Sequence, residues 1–194
     1  MKLRLLFSTV AIAALMSATG ASAQGWYVSL LGGATLNTPR VNIGGTNDVG
    51  HRGFNAGGRL GYSLDAWLPV SGFALEADVF YNQAHLSGST ALRRDSISYM
   101  GNLMYRVNAG WIGVYGGGGA GAVRTELDAG ASQDASTVFG WQAIGGIDHH
   151  LTPEAKIFAE YRYQNAHAAN LSIPVPTRVS NTTNNISVGV RFDL

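Results

Sequence analysis

Charged residues recurring at every second position are the chemistry this sequence offers. Glu76 and Asp78 flank Ala77, and Lys156, Glu160 and Arg162 share one parity of a second segment. Arg59, Arg106 and Arg191 alternate in the same way with apolar or small neighbours. Guanidinium groups do not lose their protons, so in a confined space they require acceptors, and carboxylates supply them. Such a set either plugs an interior with salt bridges or lines a path for ions. A second candidate is the run from Val114 to Arg124, where Gly116, Gly118 and Gly121 have the G-x-G-x-x-G spacing of a dinucleotide-binding turn. That turn needs a following helix whose N-terminus meets the pyrophosphate. The residues after Arg124, TELDAGASQDAS, have no apolar helical face. The glycines are therefore read as small residues within a strand, leaving space for large neighbours.

The elements that hold these charges follow from an export signal. Lys2 and Arg4 precede the apolar run LLFSTVAIAALM, and Ala21-Ser22-Ala23 stand ahead of Gln24. This is the layout of a secretory leader, with cleavage expected after Ala23 and one domain over 24–194. Gln24 in place of cysteine argues against a lipid anchor. Without Lys2 and Arg4, 11 basic residues face 12 acidic ones, and no basic stripe remains for nucleic acid. The absence of cysteine excludes a disulfide framework. No run after Ala23 approaches the roughly 20 apolar residues of a spanning helix. A closed β-barrel is the other way to satisfy every backbone group in lipid.

Period-two alternation predicts eight strands. Leu75, Ala77 and Val79 oppose Glu76 and Asp78; Leu60 opposes Arg59; Leu103 and Tyr105 oppose Asn102 and Arg106. Ile157, Ala159 and Tyr161 oppose Lys156, Glu160 and Arg162, and Val190 and Phe192 oppose Arg191 and Asp193. Trp26, Val28 and Leu30 face outward in the first segment, and Phe139, Trp141 and Ile147 in the sixth, with Gln142 and Asp148 inside. The spacers alternate long and short, as extracellular loops and periplasmic turns do. The expected fold is all-β: an eight-stranded antiparallel up-and-down transmembrane β-barrel in the bacterial outer membrane. Its interior is just wide enough for side chains to fill. A salt-bridged plug is thus favoured over a conducting lumen, with Arg59, Glu76, Asp78, Arg106, Lys156, Glu160, Arg162 and Arg191 as the lumen charge network.

A leader ending in ASA, the start GWYVSLLGG, the later FAEYRYQ and the closing VGVRFDL resemble the eight-stranded outer-membrane barrel family. That family includes the transmembrane domain of outer membrane protein A and the opacity-type surface antigens. The resemblance spans the region from Gln24 onward and implies a surface or envelope protein in contact with lipid and lipopolysaccharide. It also implies recognition of the last strand by the barrel-assembly machinery. Such chains usually end in an aromatic residue, whereas here Leu194 is last and Phe192 stands two before it. Some family members are described as small-solute porins, which keeps that alternative open.

Catalysis has one sequence handle. His167-x-Ala169-Asn170 resembles the His-x-Ser-Asn motif of lipid A deacylase barrels, but alanine stands in the serine position. Without a hydroxyl no acyl-enzyme forms, so no catalytic residue is expected. His51, His85 and His167 are expected in extracellular loops, where a metal or haem site is conceivable. No pair has tight ligand spacing, and neither metal nor cofactor is assigned. Leu92 to Arg94 reads as a solvated loop face or a contact for lipopolysaccharide phosphates, and the long loops are the expected surface for an extracellular partner.

Overall fold

The computed structural model describes residues 25–37, 42–43, 46–47, 53–85, 93–128, 133–171 and 177–194. The strands are β1 (Trp26–Asn37), β2 (Gly53–Ser63), β3 (Phe73–His85), β4 (Arg93–Ala109), β5 (Ile112–Asp128), β6 (Gln133–His150), β7 (Ala155–Leu171) and β8 (Thr177–Asp193). They form one closed barrel in which every neighbour is antiparallel and consecutive, and β1 pairs with β8 to complete the wall. A two-residue ladder, Asn42–Ile43 with Thr46–Asn47, lies between β1 and β2. The expected leader lies outside the described residues.

Side-chain phase follows the alternation. Leu30, Phe54, Leu75, Val79, Leu103, Ile147, Ile157 and Val188 point outward and are exposed, as a lipid-facing band requires. Ring pairs mark its two borders. Trp26 with Tyr62, at 5.0 Å between centres, and Phe73 with Tyr105, at 4.8 Å, lie at the short-turn end. Phe54 with Tyr81, at 5.7 Å, and Trp141 with Tyr163, at 5.5 Å, lie at the other. Aromatic girdles occupy these levels in outer-membrane barrels, whose short turns face the periplasm. The tightest of these turns, Gly110-Trp111, is made possible by Gly110 at φ 68°.

The interior is packed by a recurrent pairing of a large residue with a glycine on the next strand. Tyr27 stands opposite Gly61, Phe80 opposite Gly57, Tyr115 opposite Gly146 and Phe158 opposite Gly189. A Cβ at any of these glycines would run into the ring it faces. The glycine-rich stretch of β5 works in the same way: Met104, Asn102 and Met100 of β4 lie over Gly117, Gly119 and Gly121. The run with dinucleotide-like spacing is thus the middle of a strand that leaves room for its neighbour's side chains.

Two expectations need correction. The spacers after β3, β5 and β7 were expected to be long loops, yet the ladder continues far into them. Only 86–92, 129–132 and 172–176 lie between the paired strands. Beyond the lipid the outer face no longer needs apolar side chains, so backbone pairing persists there without alternation in the sequence, while the inner positions Thr125, Ala166 and Thr183 stay buried. Consequently His85 closes β3, His167 lies on β7, and Arg93 and Arg94 open β4; His51 and Leu92 lie outside the described residues. Strands β3 and β7, which carry His85 and His167, stand on opposite sides of the barrel. Above Gly140↔Ala166 the β6–β7 register ends. From there, among the described residues, 133–139 pair with β5 alone and 169–171 with β8 alone, past a register shift between Val179 and Asn181.

Candidate functional site

The eight predicted charges all sit on lumen positions, in two groups at different depths. The central group joins Arg59 of β2, Glu76 and Asp78 of β3, and Glu160 and Arg162 of β7. Arg59 Nη2 is 2.9 Å from both Glu160 oxygens, and its Nε is 3.3 Å from Glu76 Oε2. Arg162 Nη2 lies 3.0 Å from Asp78 Oδ2 and 3.2 Å from Glu160 Oε1, while its guanidinium covers Phe80 at 4.0 Å. Arg162 is 1% exposed, so the ladder and the plug enclose it completely.

Neutral donors complete this group: Asn102 and Gln142, which the alternation places inside, and Tyr27 and Tyr115, which it does not single out. Tyr27 Oη donates to Glu76 Oε1 at 2.7 Å, and Tyr115 Oη donates to Glu160 Oε2 at 3.2 Å. Gln142 Nε2 donates to Asn102 Oδ1 at 2.6 Å and to Asp78 Oδ2 at 3.2 Å, and Asn102 Nδ2 donates to the same Asp78 oxygen at 3.2 Å. Gln142 Oε1 accepts from Arg162 Nη1 at 3.3 Å. Three carboxylates face two guanidinium groups here, and the phenols and amides supply the donors that the cations cannot. Buried ions need this degree of hydrogen bonding to offset the loss of hydration.

The second group lies toward the short turns. Arg106 of β4 meets Asp148 of β6, with Nε 2.8 Å from Oδ2. Lys156 of β7 and Arg191 of β8 share Asp193, with Nζ 2.9 Å from Oδ2 and Nε 2.6 Å from Oδ1. The alternation had placed Asp148 and Asp193 inside, and register shows why they belong to the network: Arg191 pairs across with Lys156, bringing Asp193 within reach of both. On the other side of the central group Thr35, Asn55, Asn82, Asn185 and Ser187 form an uncharged layer. There Thr35 Oγ1 donates to Asn185 Oδ1 at 2.8 Å, and Ser187 Oγ donates to Asn55 Oδ1 at 2.8 Å.

His167 lies outside the lumen. It is exposed on the outer face of β7, with Nδ1 3.3 Å from the Phe139 carbonyl oxygen and its ring 5.9 Å from that of Phe139. Among the described residues no group of three or more His, Cys, Asp or Glu has the arrangement of a metal site.

The family model for the outer membrane protein beta-barrel domain matches residues 5–192. The chain belongs to the outer-membrane β-barrel family. This places the barrel in the bacterial outer membrane, with its apolar band in lipid. Among solved structures it is similar to Neisserial surface protein A, at 21% identity and a TM-score of 0.64, over 88% of this chain and 98% of that one. It is also similar to Ail, the attachment invasion locus protein of Yersinia pestis, at 20% identity and a TM-score of 0.47, over 87% and 99%. The N-terminal β-barrel domain of Pseudomonas aeruginosa OprF follows at 15% and 0.44, over 87% and 98%. At these identities the likeness is one of fold alone. No curated protein gives a match.

Proposed function

We propose that this barrel is a non-catalytic surface protein of the outer membrane, with a structural role in the envelope and an outer rim available to an extracellular partner. The observation that carries the reading is the lumen cross-brace in which Arg59, Arg162, Glu160, Asp78 and Gln142 join β2, β3, β6 and β7. A barrel braced in this way resists deformation and leaves little room for solute flow, which favours a plugged lumen over a porin. Ala169 in place of a nucleophile, with His167 on the outer face, supports the absence of acyl-transfer chemistry. The rim gains interest from the β6–β7 seam, because strand edges without a ladder partner offer backbone donors and acceptors to an incoming segment. Lipopolysaccharide and the barrel-assembly machinery are the expected envelope partners.

The test is a pair of measurements on the same preparation. Planar-bilayer recordings of the wild-type protein are expected to show no sustained conductance, and a stable open level instead favours the porin reading. Cells carrying variants with one rim segment shortened at a time, around 38–52, 86–92, 129–132 and 172–176, are expected to lose surface binding for one segment and keep barrel assembly. Lipid A of altered mass after incubation with the protein overturns the non-catalytic reading.

A further inference from the structure

Below the central group the lumen widens into a cavity of about 400 Å³ at the periplasmic end. Arg106, Lys156 and Arg191 line it, with Tyr27, Tyr115 and the turn residue Asp65. Two of the cations are built alike. The Arg191 guanidinium lies 3.5 Å from the centre of the Tyr27 ring, with its Nε on Asp193. The Arg106 guanidinium lies 5.1 Å from the centre of the Tyr115 ring, with its Nε on Asp148. In each, the guanidinium lies over an aromatic ring and its Nε is within ion-pair distance of a carboxylate, though Arg106 Nε and both Asp148 oxygens have no hydrogen-bond partner. Most guanidinium donors are on the terminal nitrogens, so these acids do not exhaust either group, and Arg191 Nη1 is buried with no acceptor. Lys156 adds a third cation while sharing Asp193 with Arg191, so three cations face two strand carboxylates. Asp65 is engaged by the backbone N–H of Gly72, 2.6 Å from its Oδ1.

We propose that this periplasmic cavity binds the phosphate group of a small ligand, held between the Arg106 and Arg191 forks with Lys156 as the third contact. A tetrahedral oxyanion offers acceptors in several directions and so engages two arginine forks together, which a planar carboxylate does less well. The volume falls within the roughly 300–1,000 Å³ usual for ligand pockets. Asp65 offsets the surplus positive charge at this end, so recognition rests on the two oriented forks more than on net charge. Outward-facing Tyr105 and Val107 also border the cavity. The phosphate therefore has two routes of entry, as a free ion or ester from the periplasm, or as the head group of a neighbouring lipid.

The experiment uses the folded wild-type protein in phospholipid-free detergent, with arginine side-chain Nε–H resonances followed by NMR. Sodium phosphate is titrated against sodium chloride at equal ionic strength, and dihexanoyl phosphatidylglycerol is titrated in a parallel series. Saturable shifts at Arg106 and Arg191 with phosphate, while Arg59 and Arg162 stay in place, identify a free-anion site. Saturation only with the short-chain lipid identifies a head-group site. The double variant Arg106→Gln/Arg191→Gln is expected to bind about tenfold or more weakly, the loss of charge-assisted hydrogen bonds. If that variant does not fold, the single variant Arg106→Gln carries the same expectation at reduced size. Absence of saturation with either probe, equal shifts with chloride, or undiminished binding in a folded variant overturns the proposal.

Discussion

Both carboxylate oxygens of Glu160 lie 2.9 Å from one nitrogen of Arg59, Nη2, although the two residues stand three strands apart around the wall. Glu160 also receives Arg162 and the Tyr115 phenol, each at 3.2 Å. One carboxylate thus serves two buried cations and a phenol. Glu160→Gln is expected to cost about 3–5 kcal/mol, the usual penalty for leaving buried partners without their counter-charge. Glu76→Gln is expected to cost less, because Arg59 keeps Glu160. Urea unfolding midpoints of both variants in one detergent test the order, and a larger loss at Glu76 would relocate the centre of the plug.

Arg162→Ala is expected to open the lumen to cations. Removing that guanidinium leaves Asp78, Glu76 and Glu160 facing Arg59 alone in the central group. Space and excess negative charge then appear together. In planar bilayers under a potassium chloride gradient, conductance should rise above wild type and the reversal potential should move toward that of potassium. A shift toward chloride contradicts the charge assignment.

Gly119→Ala and Gly101→Ala should separate sharply, although both are glycine-to-alanine changes in the β4–β5 wall. A Cβ at Gly119 would run into the Asn102 side chain and the Gly101 carbonyl, whereas one at Gly101 points into open space. The first is expected to destabilise by about 1–3 kcal/mol, as overpacking does, and the second to be close to neutral. Heat-modifiable gel migration at rising temperatures gives the ranking. Equal behaviour would mean that β5 yields without cost.

Leu103 faces lipid and is half exposed in the protein alone. Leu103→Arg is expected to cost about 2–4 kcal/mol if the residue sits near the bilayer midplane, while Leu103→Phe should leave stability almost unchanged. The comparison needs folding into bilayers, since detergent lets an arginine reach water. A tolerated arginine would place β4 higher or lower in the membrane.

Much of the wall was legible before any coordinates, because lipid on one side and a charged lumen on the other impose opposite chemistries at successive positions. Glu76, Asp78, Glu160 and Arg162 were assignable to the interior for that reason. Asn102 and Gln142 were too, but which groups they pair with was not. Tyr27 and Tyr115 carry no charge, and their inward seats depend on Gly61 and Gly146 standing opposite, which requires the register. Asp148 and Asp193 had the right parity, but their bonds to Arg106, Lys156 and Arg191 depend on strand stagger at the lower rim. The upper ends of β4 to β8 escaped the alternation because water replaces lipid there, and backbone pairing continues with no demand for apolar side chains on the outer face.

Closure of the wall between β1 and β8, with Leu30 against Val190, sets the timing of assembly. Every other pairing joins strands that follow one another in the chain, and each forms across a modest loop. This last ladder joins the strands farthest apart in sequence, and contacts of that kind are slow to form. Until it forms, β1 and β8 each carry an unsatisfied hydrogen-bonding edge beside an apolar face, the combination most prone to aggregation. The open sheet therefore needs shielding until β8 docks on β1, and its lifetime decides whether the chain inserts or precipitates.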